Sequence, residues 1–247
     1  MFDDHAEGWN LDTSKLRRIR GILLGMRSGA GEWDFYGRLA GWPDHKKPAN
    51  KWFLGCLLDY QMQVDRAWGN ALLLAEDLLG DPPDLWERID SIPEQEWMEL
   101  CTDHSIHRFP QAYVRVRRIG GELLEQYEGD ARQIWDSPRP DVVLERLMDL
   151  RVGPQLSRMI VGGLRQARKV HGRADIKADV HTRRVLGRVL LGRMSTTDEA
   201  TTLSRLVNPA DPWELDYPLW STGREWCSAS APDCPDCPLR KVCAGRE

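Results

Sequence analysis

The sequence contains no apolar run approaching the length of a membrane span. Its first residues, Met1-Phe2-Asp3-Asp4-His5, carry neither the basic nor the apolar segment of a secretory signal, so a cytoplasmic chain in a reducing environment is expected. Neither sign of charge dominates: 34 Lys and Arg stand against 38 Asp and Glu, a net charge of −4, which argues against a protein that coats polyanions through bulk charge. There is no internal repeat, no low-complexity tract and no pair of alternating segments that would read as paired strands. Cysteine is sparse, with 6 residues in 247, well below the density of a disulfide-built scaffold.

What remains is a helical sequence long enough to bury one large core or two small ones. Thr13 can cap a helix through Leu16, Ile19, Leu23 and Leu24, which the Gly29-Ala30-Gly31 run would end. After Pro48-Ala49-Asn50, the apolar residues Phe53, Leu57, Val64, Trp68 and Leu72 recur at helical steps and predict one long helix. Pro82-Pro83 and Pro93 mark boundaries, and further helices are expected over 94–103, 111–128, 141–149, 154–171, 180–191, 197–207 and 212–226. The chain reads as all-α.

The charge is unevenly placed. From 151 to 193 eleven Lys and Arg residues face only Asp175 and Asp179, and Arg108, Arg115, Arg117 and Arg118 form a second basic group. Solvated helix faces would produce the same pattern, but acidic stretches at 76–103 and 121–149 point to a polarised surface.

Four of the cysteines fall in one segment, Cys227, Cys234, Cys237 and Cys243, separated by six, two and five residues. The segment holds three prolines and little apolar periodicity, so its thiols can replace a hydrophobic core by holding an inorganic centre. A zinc ribbon brings two close cysteine pairs and only Cys234 with Cys237 makes one, so a 4Fe-4S cluster is favoured over zinc or two disulfides, which four thiols still permit. Cys56 and Cys101 read as ordinary buried thiols.

Two further places carry chemistry. Between the helices at 141–149 and 154–171, Leu150-Arg151-Val152-Gly153-Pro154 makes a tight hairpin. A helix that starts at Pro154 leaves backbone N–H groups facing outward, a setting for phosphate with Arg158 and Arg165 behind it; a plain hairpin without a ligand has the same signature. Downstream, Asp179 stands where a helix should begin. It suits an N-cap, and a carboxylate kept ionised there is also placed to orient water or stabilise a cation-like sugar.

Taken in order, the hairpin with Val152-Gly153, the run Asp179-Val180-His181-Thr182-Arg183-Arg184-Val185, and Gly223-Arg224-Glu225-Trp226-Cys227 leading into the four cysteines resemble the helix-hairpin-helix DNA glycosylases of the endonuclease III type. The resemblance covers the chain from about residue 11. It implies a six-helix barrel lobe over 30–173 that includes the hairpin, and a cluster lobe made of 1–29 with 174–247. It places the catalytic aspartate at Asp179 and the ligands of a structural 4Fe-4S cluster at Cys227, Cys234, Cys237 and Cys243. DNA contact is implied for Arg151, Val152, Gly153, Arg158, His181 and Arg184. Gln61, in a run similar to the family's probing helix, would occupy the space left by an extruded nucleotide. Asp59, Tyr60 and Trp68 are candidates for touching that base.

The departures narrow the chemistry. Lyase members carry a lysine on the hairpin helix, and this chain has Gln155, whose amide cannot form an imine. Adenine glycosylases carry a glutamate where Cys56 stands, and one turn glycine of the family hairpin is Arg151. The resemblance therefore implies a monofunctional glycosylase of base excision repair, acting as a monomer on double-stranded DNA with a lesion, mismatch or modified base, at the nucleoid if the cell is bacterial. An abasic-site lyase using Lys169 or Lys177, and a DNA-binding protein without catalysis, are the alternatives.

Overall fold

The structure is a computed structural model that describes residues 9, 11–26 and 42–245; the Gly29–Gly31 helix break lies outside the described residues. Among the described residues there is no strand, and none of their helices is long and apolar enough to cross a membrane. The fold is all-α. Its contacts divide the chain into two compact units, with boundaries after Ala30 and after His171.

The unit that ends at His171 is built around helix α2 (Lys46–Leu58), whose residues Trp52 through Leu58 are all buried. Around it lie α3 (Val64–Leu72), α4 (Leu85–Asp90), α5 (Glu94–Asp103), α6 (Gln111–Tyr127), α7 (Pro140–Asp149) and α8 (Pro154–Gln166). Trp52, Phe53, Trp86 and Trp97 fill the core, Trp52 stacking on Trp42 at 3.9 Å and meeting Trp135 edge-on at 5.6 Å. Each ring removes a large apolar area from water, the main stabilising contribution here. A buried polar pin crosses the core: Asn50 Nδ2 donates to Gly129 O at 2.8 Å, and Ala131 N donates to Asn50 Oδ1 at 2.9 Å.

The long helix expected from residue 50 to 72 is instead two helices. It breaks at 59–63, where Gln61 takes φ 48 and Gln63 becomes the residue before α3. The break turns α3 back so that Trp68 lies against Gly55, where a Cβ would stand 2.6 Å from the ring. The apolar period continues in phase across the break, so periodicity could not reveal it. The helix expected to reach 171 stops at Gln166, because Arg168 adopts φ 59 and Lys169 N bonds back to Leu164 O at 2.8 Å. Elements the pattern missed are short: α4, the π-helical turn Leu73–Leu78 that continues α3, and the 3-10 turn Ala131–Trp135.

The second unit packs α1 (Thr13–Gly25), α9 (Val180–Leu191), α10 (Thr197–Val207) and α11 (Asp216–Glu225) around Ile19, Leu23, Ile176, Val185, Leu186, Val189, Leu203, Leu215 and Leu219. The cap of α1 is Asp12 rather than Thr13, with Ser14 N donating to Asp12 Oδ1 at 2.8 Å. The helix expected over 212–226 opens as a 3-10 turn, Pro212–Leu215, before α11 begins. Helix α10 starts with a reciprocal capping box, Glu199 N to Thr196 Oγ1 at 3.2 Å and Thr196 N to Glu199 Oε2 at 2.8 Å. The Arg193 guanidinium and that box hold the Glu199 carboxyl down at about 2.

Gly187, in the middle of α9, faces the backbone of Arg193 and Ser195 so closely that a Cβ would overlap their atoms. Backbone cannot step aside as a flexible side chain can. Gly187→Ala is expected to lower unfolding free energy by about 2–4 kcal/mol, read as a fall in Tm and in the denaturant midpoint at unchanged slope.

Candidate nucleic-acid and catalytic sites

In the first unit the hairpin between α7 and α8 closes through Arg151 N to Met148 O at 2.9 Å and Val152 N to Leu147 O at 3.1 Å. Arg151 sits at φ 52 and Gly153 at φ 94, conformations that suit glycine and strain arginine. Pro154 opens α8 and no side chain caps that helix, so its first amides are left for an outside acceptor. Arg151 is exposed, Val152 is buried, and Arg158 is half-buried. Gln155 is half-buried, its Oε1 without a hydrogen bond, and Ser157 Oγ is likewise buried and unpaired.

Helix α6 holds this hairpin from behind. Arg118 donates to Leu150 O and to Arg151 O, each at 3.2 Å, and to Glu122 Oε1 at 2.7 Å. Three residues earlier on the same helix, Arg115 donates to Leu57 O at 2.7 Å and lies 4.0 Å from the centre of the Tyr60 ring. One helix therefore fixes both the hairpin and the loop that carries Asp59, Tyr60 and Gln61. Arg117 ties the same helix to the carbonyls of Ile89, Asp90 and Ile92. Of the basic group read from the sequence, Arg115, Arg117 and Arg118 are thus structural ties and Arg108 alone is exposed.

Gln61 lies on this loop rather than on a helix, and it is exposed at the tip. Its carbonyl accepts from Arg108 Nη1 at 3.4 Å. Tyr60 stacks on His107 at 4.4 Å, and His107 Nε2 is 3.0 Å from Tyr60 O. Burial holds the His107 imidazole below its usual pKa, so the ring is neutral at pH 7. Asp59 is buried at 6% exposure, and Trp68 is core, packed on Gly55. The loop 104–110, with His107, Arg108 and Phe109, is the partner that sequence reading missed; no regular period marks such a loop.

In the second unit Asp179 caps α9: its Oδ1 accepts from His181 N and from Thr182 N, both at 2.9 Å. Among the described residues its Oδ2 takes no hydrogen bond. Asp216, the first residue of α11, lies nearby and is 6% exposed, its Oδ1 accepting from Lys177 N at 2.8 Å. Burial, and next the charge of Asp179, push the Asp216 carboxyl up to about 7. His181 is half-buried and its Nδ1 lies 3.0 Å from Arg184 Nη2. Arg184 is itself buried, bonded to Gly223 O at 2.9 Å and to Cys227 O, so it serves the fold and not an exposed phosphate contact.

Cys227, Cys237 and Cys243 are half-buried against the core of this unit, and Arg188 Nη1 is 3.4 Å from Cys227 Sγ. Burial raises the Cys237 and Cys243 thiols above their usual pKa, and the charges of the other cysteines in the group act the same way. Among the described residues no three His, Cys, Asp or Glu side chains are gathered tightly enough to hold a single metal ion. Cys56 and Cys101 are buried apart from this group, Cys101 pushed up to about 12 by burial.

No sequence-family model matches the chain, and no curated protein is similar to it in sequence. Solved structures do match. A non-covalent complex of endonuclease III with DNA superposes with a TM-score of 0.66 over 95% of this chain and 96% of that one, at 17% identity. The fold is that of the helix-hairpin-helix DNA glycosylases of the endonuclease III type. A thermostable thymine-DNA glycosylase shares it over 94% of this chain and 96% of that one, with a TM-score of 0.56 and 14% identity.

Within this helix-hairpin-helix fold, Arg118 is the cation that neutralises the hairpin carbonyls. Arg118→Ala leaves Leu150 O and Arg151 O without that donor, at an expected cost of about 1–3 kcal/mol. Amide hydrogen exchange should show faster opening at Arg151 and Val152 while α9 amides stay protected; equal protection at the hairpin would remove this role.

Proposed function

We propose that the chain is a DNA glycosylase of base excision repair that releases a damaged, mismatched or modified base by hydrolysis. The observation that carries this reading is Asp179, bound through one oxygen by two amides at the start of α9, on a fold shared nearly end to end with a DNA-bound endonuclease III. Those amides fix the carboxyl group, and the start of α9 turns positive partial charge toward it. An anion so held is fixed before the reaction and stabilises the positive charge that develops on the sugar as the base departs.

The remaining roles follow from position. The uncapped start of α8, with exposed Arg151, suits a backbone phosphate, and Gln61 at its loop tip suits the gap left by an extruded nucleotide. Gln155 occupies the position of the family's lysine and offers no amine for an imine. Lys169, one candidate substitute, is ion-paired with Asp44. Hydrolysis with water as nucleophile is the step these residues support.

The four cysteines suit a 4Fe-4S cluster. A zinc ion with 2.3 Å bonds would draw its sulfurs to within about 4 Å of one another, whereas a cubane seats each sulfur on a different iron. The spacing of six, two and five residues, with Cys234 and Cys237 as its one close pair, supports the second arrangement. When bound, the cluster would cross-link the C-terminal loop, held by Cys227, Cys234, Cys237 and Cys243.

The decisive experiment is single-turnover release from duplexes that each carry one altered base: uracil or thymine opposite guanine, an oxidised pyrimidine, or another modified base. Release should appear as strand breaks only after alkali. Asp179→Asn should lower the rate by at least about 100-fold with unchanged DNA affinity and Tm, because Asn caps a helix as well as Asp. Binding without release from any duplex would leave a DNA-binding protein. A borohydride-trapped adduct lost on changing Lys169 or Lys177 would overturn the hydrolytic reading.

A separate measurement tests the cluster. The purified protein should contain about four irons per chain and absorb broadly near roughly 400 nm, and Cys234→Ser with Cys237→Ser should lose both.

A further inference from the structure

Asp216 is a buried carboxyl for which the proposed hydrolysis has so far given no use. It begins α11 and Asp179 precedes α9, so the two acids stand at the N-terminal ends of two helices that pack together. The packing is close: a Cβ on Gly223 of α11 would lie 2.7 Å from His181 Cβ on α9. Two hydrogen bonds join the acids through the chain. Lys177 N donates to Asp216 Oδ1 at 2.8 Å, and Asp179 N donates back to Lys177 O at 2.7 Å, closing a tight turn over Ala178.

We propose that Asp216 is the positioning residue of this centre: its buried carboxyl anchors the Lys177–Asp179 turn through the Lys177 amide and so fixes where Asp179 stands. Two neighbouring carboxyls, one of them buried, cannot both ionise without a large penalty, so the buried Asp216 also holds its proton more tightly than an ordinary carboxyl. Asp179 has two amide donors and is half-exposed; Asp216 has one and is buried.

The surrounding charges allow this. Asp179 acts on Asp216 to retain its proton, while the Lys177 charge and the Lys177 amide hydrogen bond act against it and burial outweighs both. On α9, His181 and Arg184 are engaged with each other, and Arg184 also with Gly223 and Cys227. On α10, Arg205 pairs with Asp175; on the turn before α11, Glu214 bonds Asn208, and Asp211 lies 3.5 Å from Ala174 N. On α1, Arg17, Arg18 and Arg20 are exposed and Lys15 acts on Cys243. Burial and Asp179 raise the Asp216 carboxyl from its ordinary 3.8 to about 7, in line with the geometry.

The inference rests on the glycosylase reading only for what the pair acts upon, so it is tested first without a substrate. A carboxyl that binds its proton more tightly when folded makes stability fall as pH rises from about 4 and level off above about 7. Asp216→Asn keeps an acceptor for Lys177 N and cannot ionise. Its Tm should exceed that of the wild type by about 5 °C at pH 8, with the gap closing toward pH 4. In Asp216→Ala the Lys177 amide should lose exchange protection that Asp216→Asn retains.

Activity then supplies a second arm. On whichever duplex the wild type cleaves, its rate should fall above pH 7 as a second buried anion forces the turn open. Asp216→Asn should be slower by about threefold with a flat profile, and Asp216→Ala by more than about tenfold. A Tm gap that does not vary with pH, or equal Lys177 exchange in both variants, overturns the role of Asp216. If Asp216 titrates as stated and no duplex is cleaved, the glycosylase reading fails while the carboxyl pair stands.

Discussion

The close crossing of α9 and α11 at Gly223 is the contact on which the second unit depends. With no side chain at 223, the backbone of α11 settles against His181, and the residues on either side are drawn into register. Toward the start of the helices this places Asp216 beside the turn that presents Asp179. Toward their ends it lets Arg184 reach Gly223 O and Cys227 O, and Arg188 reach the carbonyls of Ser228 and Ala229. The carboxylates and the cysteine loop are therefore set by one helix pair.

The first unit uses cations in a parallel way. Arg115, Arg117 and Arg118 follow one another on α6, yet none is paired as a surface salt bridge alone; each reaches backbone carbonyls at the end of another element. Such carbonyls carry the partial negative charge of helix C-termini, which a guanidinium with five donors in a plane can satisfy. The chain has a net charge of −4 and still contains segments dense in arginine, because many of those arginines are internal fittings. That is why the charge pattern of 151–193 overstated the surface available for a polyanion: Arg183, Arg184, Arg188 and Arg193 all bond within their own unit.

The helices were legible because amphipathic periodicity and capping residues are local properties, and 180–191 and 197–207 fall where the pattern puts them. Asp179 was legible for the same reason, since a helix start advertises its cap. The break at 59–63 was not, because a turn that preserves the apolar phase leaves no mark in the period, and it moved Gln61 from a helix to a loop tip. Asp216 was illegible for a different reason. In Trp213-Glu214-Leu215-Asp216 nothing distinguishes the buried acid from the one two residues before it; only the fold decides which faces Lys177 N. Tyr60 was named as a pocket candidate, but its engagement with His107 and Arg115 depends on a loop 47 residues away.

The hairpin shows how a strained backbone position is offset. Arg151 adopts φ 52, where a side-chain-bearing residue costs on the order of 1 kcal/mol. Arg118 contributes two hydrogen bonds to the carbonyls flanking that position, a gain of the same order. The turn thus holds its shape with an exposed guanidinium at its apex. A guanidinium there attracts negative charge at longer range than a backbone amide does. The charge of such an exposed guanidinium is screened by salt, whereas the short hydrogen bonds that hold the turn are not.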